Sequence, residues 1–198
     1  ERALEQIKEG GIVILVDDED RENEGDMVMA AQDATPQNIT VMANEARGLI
    51  CTPMIGDDLD RLGLPMQVKN NTAEHGTAFT VTVDSKFGIT SGISSADRAH
   101  TIQLLADLES SAANFVQPGH VFPLRYEEGG VLVRAGHTEG SVDLVRLAGK
   151  HPAAVICEIL NDDGTMARRP QLETTAHKHD FPIVTIADVI AYRMSHEK

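Results

Sequence analysis

Ile12-Val13-Ile14-Leu15-Val16-Asp17-Asp18-Glu19-Asp20-Arg21-Glu22-Asn23-Glu24-Gly25-Asp26-Met27-Val28-Met29-Ala30-Ala31 sets an acidic decapeptide between two apolar runs. Seven of the ten residues from Asp17 to Asp26 are carboxylates. The flanking runs are short, apolar and strand-like. A loop between two core strands cannot spread its charges as a terminal tail does. Packed like charges are costly unless a cation or a positive partner compensates them. Oxygen ligands of this kind suit Mg²⁺, Mn²⁺ or Ca²⁺. If the loop alternates, Glu22, Glu24 and Asp26 share one face. Arg21 is a candidate anchor for an anionic substrate or for a neighbouring carboxylate. An EF-hand does not fit: counted from Asp18, Asn23 stands at the glycine position and Met29 at the glutamate position. The bland alternative is a solvated acidic hairpin.

Outward from the loop, helices and strands interleave. A helix opens the chain, with Ala3, Leu4 and Ile7 on one side, and is stopped by Gly10-Gly11. Thr35 is an N-cap with Pro36 at the first helical position, and that helix stops near Gly48. Leu49 to Met54 is a short strand, Asp57 to Gly63 a helical turn, and Ala78 to Val83 an alternating, half-buried strand. Ser94 caps a helix through about Leu105. Val121-Phe122 and Val131 to Arg134 read as strands, and Thr138 opens a helix through Ala148. Ala153 to Leu160 is a buried strand, Leu172 to His179 a helix, Ile183 to Ile186 a strand and Ala187 to Met194 a helix. Several strands are adjacent in sequence, which favours a single α+β domain over residues 1–198, an α/β sandwich with a mixed sheet flanked by helices. A doubly wound sheet is the runner-up.

The chain of 198 residues is 41% hydrophobic and carries a net charge of -14. That length suits one large domain or two small ones. The charge argues against a nucleic-acid binder, which needs Lys and Arg for phosphates, but leaves room for a small phosphorylated molecule. No apolar stretch approaches the roughly 18 residues of a membrane span, and no secretory leader is read. Two widely spaced cysteines, Cys51 and Cys157, form no disulfide framework. A cytoplasmic location is expected.

Three further groups carry possible chemistry. In Arg134-Ala135-Gly136-His137-Thr138-Glu139 a predicted strand ends, a glycine turns the chain and a helix begins. A helix N-terminus offers free N–H groups to an anion, Arg134 offers a planar fork, and Thr138 is the expected cap. His137 is either a metal ligand or an ordinary hydrogen-bonded histidine. Glu158 sits in Val155-Ile156-Cys157-Glu158-Ile159-Leu160. A carboxylate there must be paired, protonated or functional, and desolvation would raise its pKa towards that of a general acid or base. A buried salt bridge is the alternative. His120, in Pro118-Gly119-His120-Val121, is a catalytic candidate or a structural turn residue. Cys51 reads as a small buried apolar residue rather than a nucleophile. Dinucleotide, serine-hydrolase and zincin motifs are missing. A hard metal acting on a small phosphorylated substrate remains.

Seven ordered segments carry a resemblance that runs through almost the whole chain: Asp17 to Asp26 (DDEDRENEGD), His75 to Asp84 (HGTAFTVTVD), Ser91 to Arg98 (SGISSADR), Pro118 to Leu124 (PGHVFPL), Arg134 to Glu139 (RAGHTE), Cys157-Glu158, and Asp162 to Ala167 (DDGTMA). The chain closely resembles the 3,4-dihydroxy-2-butanone 4-phosphate synthases of riboflavin biosynthesis. The resemblance implies a lyase that converts D-ribulose 5-phosphate to L-3,4-dihydroxy-2-butanone 4-phosphate and formate. It also implies Mg²⁺ or Mn²⁺, two ions per site, and a homodimer with sites near the interface. By that resemblance Glu22 and His137 are metal ligands, and Arg21, Asp26 and Arg134 to Thr138 contact substrate, with Arg134 and Thr138 near the phosphate. His120 and Glu158 are the side chains needed for catalysis, and Glu24 belongs to the loop's functional set, counted with Glu22 among the substrate-binding residues. Ala135 and Gly140-Ser141 vary from the family pattern without removing a ligand. In fused members a GTP cyclohydrolase II half follows at about Tyr192 to Lys198. These 198 residues hold no zinc-binding cysteine cluster, so that second activity is not expected of them. The rival readings are a metal-dependent sugar-phosphate isomerase or aldolase, and a non-enzymatic divalent-metal-binding module.

Overall fold

A computed structural model describes residues 1–197. One seven-stranded sheet organises them, in the order β4-β5-β3-β6-β2-β1-β7. The strands are β1 (Val13–Val16), β2 (Gly25–Ala30), β3 (Cys51–Met54), β4 (Val83–Ser85), β5 (Phe115–Arg125), β6 (Ala154–Glu158) and β7 (Ile183–Thr185). The β1–β7 and β3–β5 pairs are parallel and the other four antiparallel, so the sheet is mixed, as expected. The helices are α1 (Arg2–Lys8), α2 (Pro36–Val41), α3 (Gly56–Arg61), α4 (Ser95–Ala106), α5 (His137–Leu147), α6 (Arg169–His179) and α7 (Ile186–His196).

The apolar run of β1 is continuous because both of its faces are covered. Side chains alternate along a strand. Ile14 and Val16 pack into a core with Ile39, Ile102 and Leu172, from α2, α4 and α6. Val13 and Leu15 pack into a second core with Ile7, Leu144 and Val189, from α1, α5 and α7. Two helical layers thus enclose the sheet, and the acidic loop closes the β1–β2 hairpin, in which Val16 faces Gly25.

Caps fall where Ser and Thr accept backbone protons. Thr35 accepts from Asn38 N–H, Ser94 from Asp97 N–H, and Thr185 from Asp188 N–H. The α2 segment runs on through a π-turn, Met42–Ala46, and stops near Gly48 as expected, reversing at left-handed Arg47. Three expectations need correction. Ala78 to Val83 is not a continuous strand: Phe79 and Thr80 make isolated bridges to Leu124 and Met66, and regular pairing begins only at Val83. Val131 to Arg134 is not a strand. Left-handed Gly129 and Gly130 curl Gly130–Leu132 into a 3-10 turn, and Asp143 takes the Val131 N–H. Thr138 caps nothing, because α5 starts one residue earlier from Gly136.

Leu15 is fully buried, and a Cβ on Gly140 of α5 would lie 2.8 Å from its Cδ2. Leu15→Ala should cost about 2–5 kcal/mol, read as a lowered urea midpoint with unchanged slope.

Candidate active site

β2, β6 and β3 bring their ends together beneath the N-terminus of α5. Asp26 and Glu158 are direct cross-strand partners, and Cys51 faces Ile156 two residues away along β6. All four lie on the sheet face that α5 covers. They line a cavity of about 80 Å³ with Arg21, Glu22, Glu24, Arg134, His137 and Thr138. The acidic segment and the Arg134 segment, more than a hundred residues apart in sequence, therefore form one site.

Asp17 gives the loop its shape. It is buried, and both oxygens are spent on the loop itself: Oδ2 accepts from Arg21 Nη1 at 2.9 Å and Glu22 N–H at 3.0 Å, and Oδ1 from Glu24 N–H at 2.9 Å. Asn23 turns the chain at φ 54. Arg168 donates to the carbonyls of Glu22 and Asn23. Arg21 also reaches Glu22 Oε2 at 2.7 Å. Of its two expected partners, the neighbouring carboxylates are the ones it holds.

His137 opens α5 and is buried between two carboxylates. Its Nδ1 lies 3.4 Å from Glu22 Oε2 and its Nε2 3.8 Å from Asp26 Oδ1. The Nε2 and Oδ1 atoms have no hydrogen-bond partner among the described residues. Buried polar atoms left unpaired are costly, and these two face each other across a gap too wide for a hydrogen bond. One nitrogen of His137, one oxygen of Glu22 and one of Asp17 lie within 4.8 Å of one another. Because Asp17 is committed to the loop backbone, Glu22 and His137 are the better-placed candidate ligands, with Asp26 and Glu24 lining the same cavity. The donor set of carboxylate oxygens and one imidazole fits a hard divalent cation.

The electrostatics follow from this crowding. The His137 imidazole holds the Glu22 carboxyl down to about 2. Burial drives Asp26 up to about 7, helped by the charges of Glu158, Glu24 and Glu22. Glu24 is raised by burial and then by Glu22. Burial works against a charged His137, but Asp26 and Glu22 outweigh it and raise the imidazole to about 9. Asp26, not Glu158, is the fully desolvated carboxylate. Glu158 is half-buried, and no buried salt bridge holds it; its Oε2 accepts the Leu49 N–H at 2.8 Å. Gly48 lets the backbone pass this close, since a Cβ there would collide with Glu158. Burial raises the Cys51 thiol, so it stays protonated, in keeping with an inert apolar role.

Arg134 is held rather than free. Nη1 donates to buried Glu139 Oε2 at 2.6 Å and Nη2 to the His75 carbonyl at 2.9 Å. A Cβ on Gly136 would meet both Arg134 and Glu139, which explains the glycine. Ala135 lines a separate cavity of about 350 Å³ behind the acidic loop. His120 is not in the cavity either. It lies four residues from the cavity-lining Leu124, about 13 Å along β5, and pairs with Asp84. Asp17 shapes the loop, as the sequence reading expects of Asp17 to Asp20. Sequence reasoning assigns no role to Asp84 or Glu139, although both stand inside the resembling motifs.

A divalent cation entering between these groups must displace their protons. Metal affinity should therefore rise with pH as Asp26, near 7, and His137, near 9, deprotonate, and fall below about pH 7. Calorimetric titration of EDTA-stripped protein with Mg²⁺, in two buffers of different ionisation enthalpy, should report net proton release between pH 7 and 9. A pH-independent affinity without proton release would contradict this cluster.

The comparisons with known proteins agree with the geometry. A family model described as 3,4-dihydroxy-2-butanone 4-phosphate synthase matches residues 1–192. A Pseudomonas aeruginosa protein of that name is 53% identical over 195 residues, covering 98% of this chain and 53% of its own length. The chain spans about half the length of the curated relatives it matches. Among solved structures, a two-domain 3,4-dihydroxy-2-butanone 4-phosphate synthase from A. baumannii superposes with a TM-score of 0.96 at 50% identity, covering 100% of this chain and 58% of that one. A synthase in complex with two magnesium ions superposes with a TM-score of 0.96 at 39% identity, covering 99% and 96%. The chain belongs to the 3,4-dihydroxy-2-butanone 4-phosphate synthase family.

Proposed function

We propose that residues 1–198 form one catalytic domain that converts D-ribulose 5-phosphate to L-3,4-dihydroxy-2-butanone 4-phosphate and formate, acting in the cytoplasm in riboflavin biosynthesis. The observation that carries this reading is the convergence of Glu22, Asp26, His137 and Glu158 on one cavity beside Arg134 and the start of α5. Glu22 and His137 would hold Mg²⁺ or Mn²⁺, two ions per site. The relative bound to two magnesium ions supports this, as do the unpaired polar atoms between His137 and Asp26. A bound divalent ion supplies positive charge where substrate oxygens become negative.

The protein's own groups do the rest. Arg134, set by Glu139, and the N–H groups at Gly136 to Thr138 suit the phosphate. Arg21, Glu24 and Asp26 border the sugar. Glu158, oriented by the Leu49 N–H, is placed to move a proton at a carbon next to the carbonyl. The cavity of about 80 Å³ is small beside the roughly 300–1,000 Å³ usual for ligand sites. His120 lies outside it with an exposed side chain, and Val116 on the same strand is exposed as well. We therefore propose a homodimer in which His120 of one copy completes the cavity of the other. No described helix is long and apolar enough to cross a membrane.

Ribulose 5-phosphate with Mg²⁺ should release formate, the release should stop with EDTA, and NMR should show a four-carbon phosphate. An isomerase or aldolase yields no such pair, and a binding module yields no turnover. Glu158→Gln should lower kcat by about 100-fold or more with KM little changed; Arg134→Ala should chiefly raise KM.

Subunit mixing tests the shared site. Glu158→Gln and His120→Gln homodimers should each be nearly inactive. Random exchange makes half the dimers mixed, each with one intact site of two, so about a quarter of full activity should return. No recovery would place His120 in its own chain's site.

A further inference from the structure

His120 enters the sheet on β5, where Val121 pairs with Val83 and Val116 with Asp84. The register shifts between Val83 and Asp84. Such irregularities re-aim a side chain, and here the Asp84 carboxylate meets His120 twice. Oδ1 accepts the His120 backbone N–H at 2.9 Å, and Oδ2 lies 2.7 Å from Nδ1. Asp84 is 6% exposed, whereas the His120 side chain is 44% exposed. Nε2 has no hydrogen-bond partner among the described residues. A third segment closes over the pair. Gly92, at φ +96, leaves no room for a side chain, since a Cβ there would strike both the Asp84 carboxylate and His120 Nδ1. The Gly92 N–H is itself fixed on Asp97 Oδ2 at 2.9 Å. A structural turn histidine does not require this fixation of one ring nitrogen with the other left unpaired.

We propose that Asp84 is a positioning residue for the reaction, holding the Nδ1 proton of His120 so that the Nε2 lone pair is free to take a proton from substrate. This rests on the reading of His120 as catalytic. The imidazole accepts a substrate proton at Nε2 and becomes an imidazolium. Asp84 stays ionised and stabilises that charge, and the same proton leaves again from Nε2.

Asp84→Asn tests the assignment with little change of shape. Oδ1 is needed by the His120 backbone N–H, so the amide NH₂ falls against Nδ1 and drives the ring proton to Nε2, where it blocks the base. Long-range ¹H–¹⁵N NMR of the full chain, at a pH where His120 is neutral, should find the proton on Nδ1 in the wild type and on Nε2 in Asp84→Asn. In the variant kcat should fall by at least about 100-fold while KM for ribulose 5-phosphate and the Mg²⁺ requirement stay within about 3-fold. An Nε2–H tautomer in the wild type overturns the proposal whether or not the variant folds. A wild-type kcat in Asp84→Asn, with His120→Gln inactive, overturns the role of Asp84 alone. Full turnover in His120→Gln overturns the catalytic reading of His120, and the proposal with it.

Discussion

Asp26 and Glu158 face each other across two antiparallel strands, and the site is built around that unfavourable pairing. Like charges directly opposite in a sheet are destabilising, and here Glu22 and Glu24 add to them from the loop. The sheet tolerates the arrangement because both strands are buried on both faces. Their register cannot slip without turning a whole apolar set out of its core. The stability of the double core thus holds together groups that would otherwise separate.

The three arginines around the loop show how the repulsion is contained. Arg21 bridges Asp17 and Glu22, Arg134 is pinned by Glu139, and Arg168 binds loop carbonyls. Each is oriented by a partner rather than left to swing. The buried Asp143 extends this support. It accepts from Arg193, the Tyr126 hydroxyl and the Val131 N–H, tying α7 and the turn before Arg134 to α5. Arg193, far along the chain in α7, thus helps fix the turn that leads into Arg134, while Glu139 and the His75 carbonyl fix its guanidinium.

The legible and illegible parts of the sequence divide along the same physical line. β1, the loop and β2 could be read because an apolar run with charges at one end has one sensible placement. Thr35, Ser94 and Pro36 could be read because capping is local. Val131 to Arg134 misled because an apolar triplet looks alike in a strand and a 3-10 turn; the two left-handed glycines before it carried the information. The convergence of Glu22 with His137 came from family resemblance, not from any local pattern. The sequence also shows two carboxylates in apolar runs, Asp26 and Glu158, without saying which loses its water. That depends on His137 closing over one of them and the Gly48 backbone leaving the other half open. His120 was legible as a residue of interest but not as one outside the cavity that holds Glu158.

Charge balance links these points. Four carboxylates line the cavity against two guanidinium groups and one imidazole. With Asp26 near 7 and His137 near 9, bound protons bring the protein's groups close to neutrality at physiological pH. Protons and a hard divalent cation thus compete for the same excess of negative charge. A dianionic phosphate would be repelled by the carboxylates once the protons are gone, unless a cation had taken their place. An acidic decapeptide and a phosphorylated substrate are compatible when the loop is a cation site set beside a helix N-terminus and a fixed arginine, because each charge then has its own compensating partner.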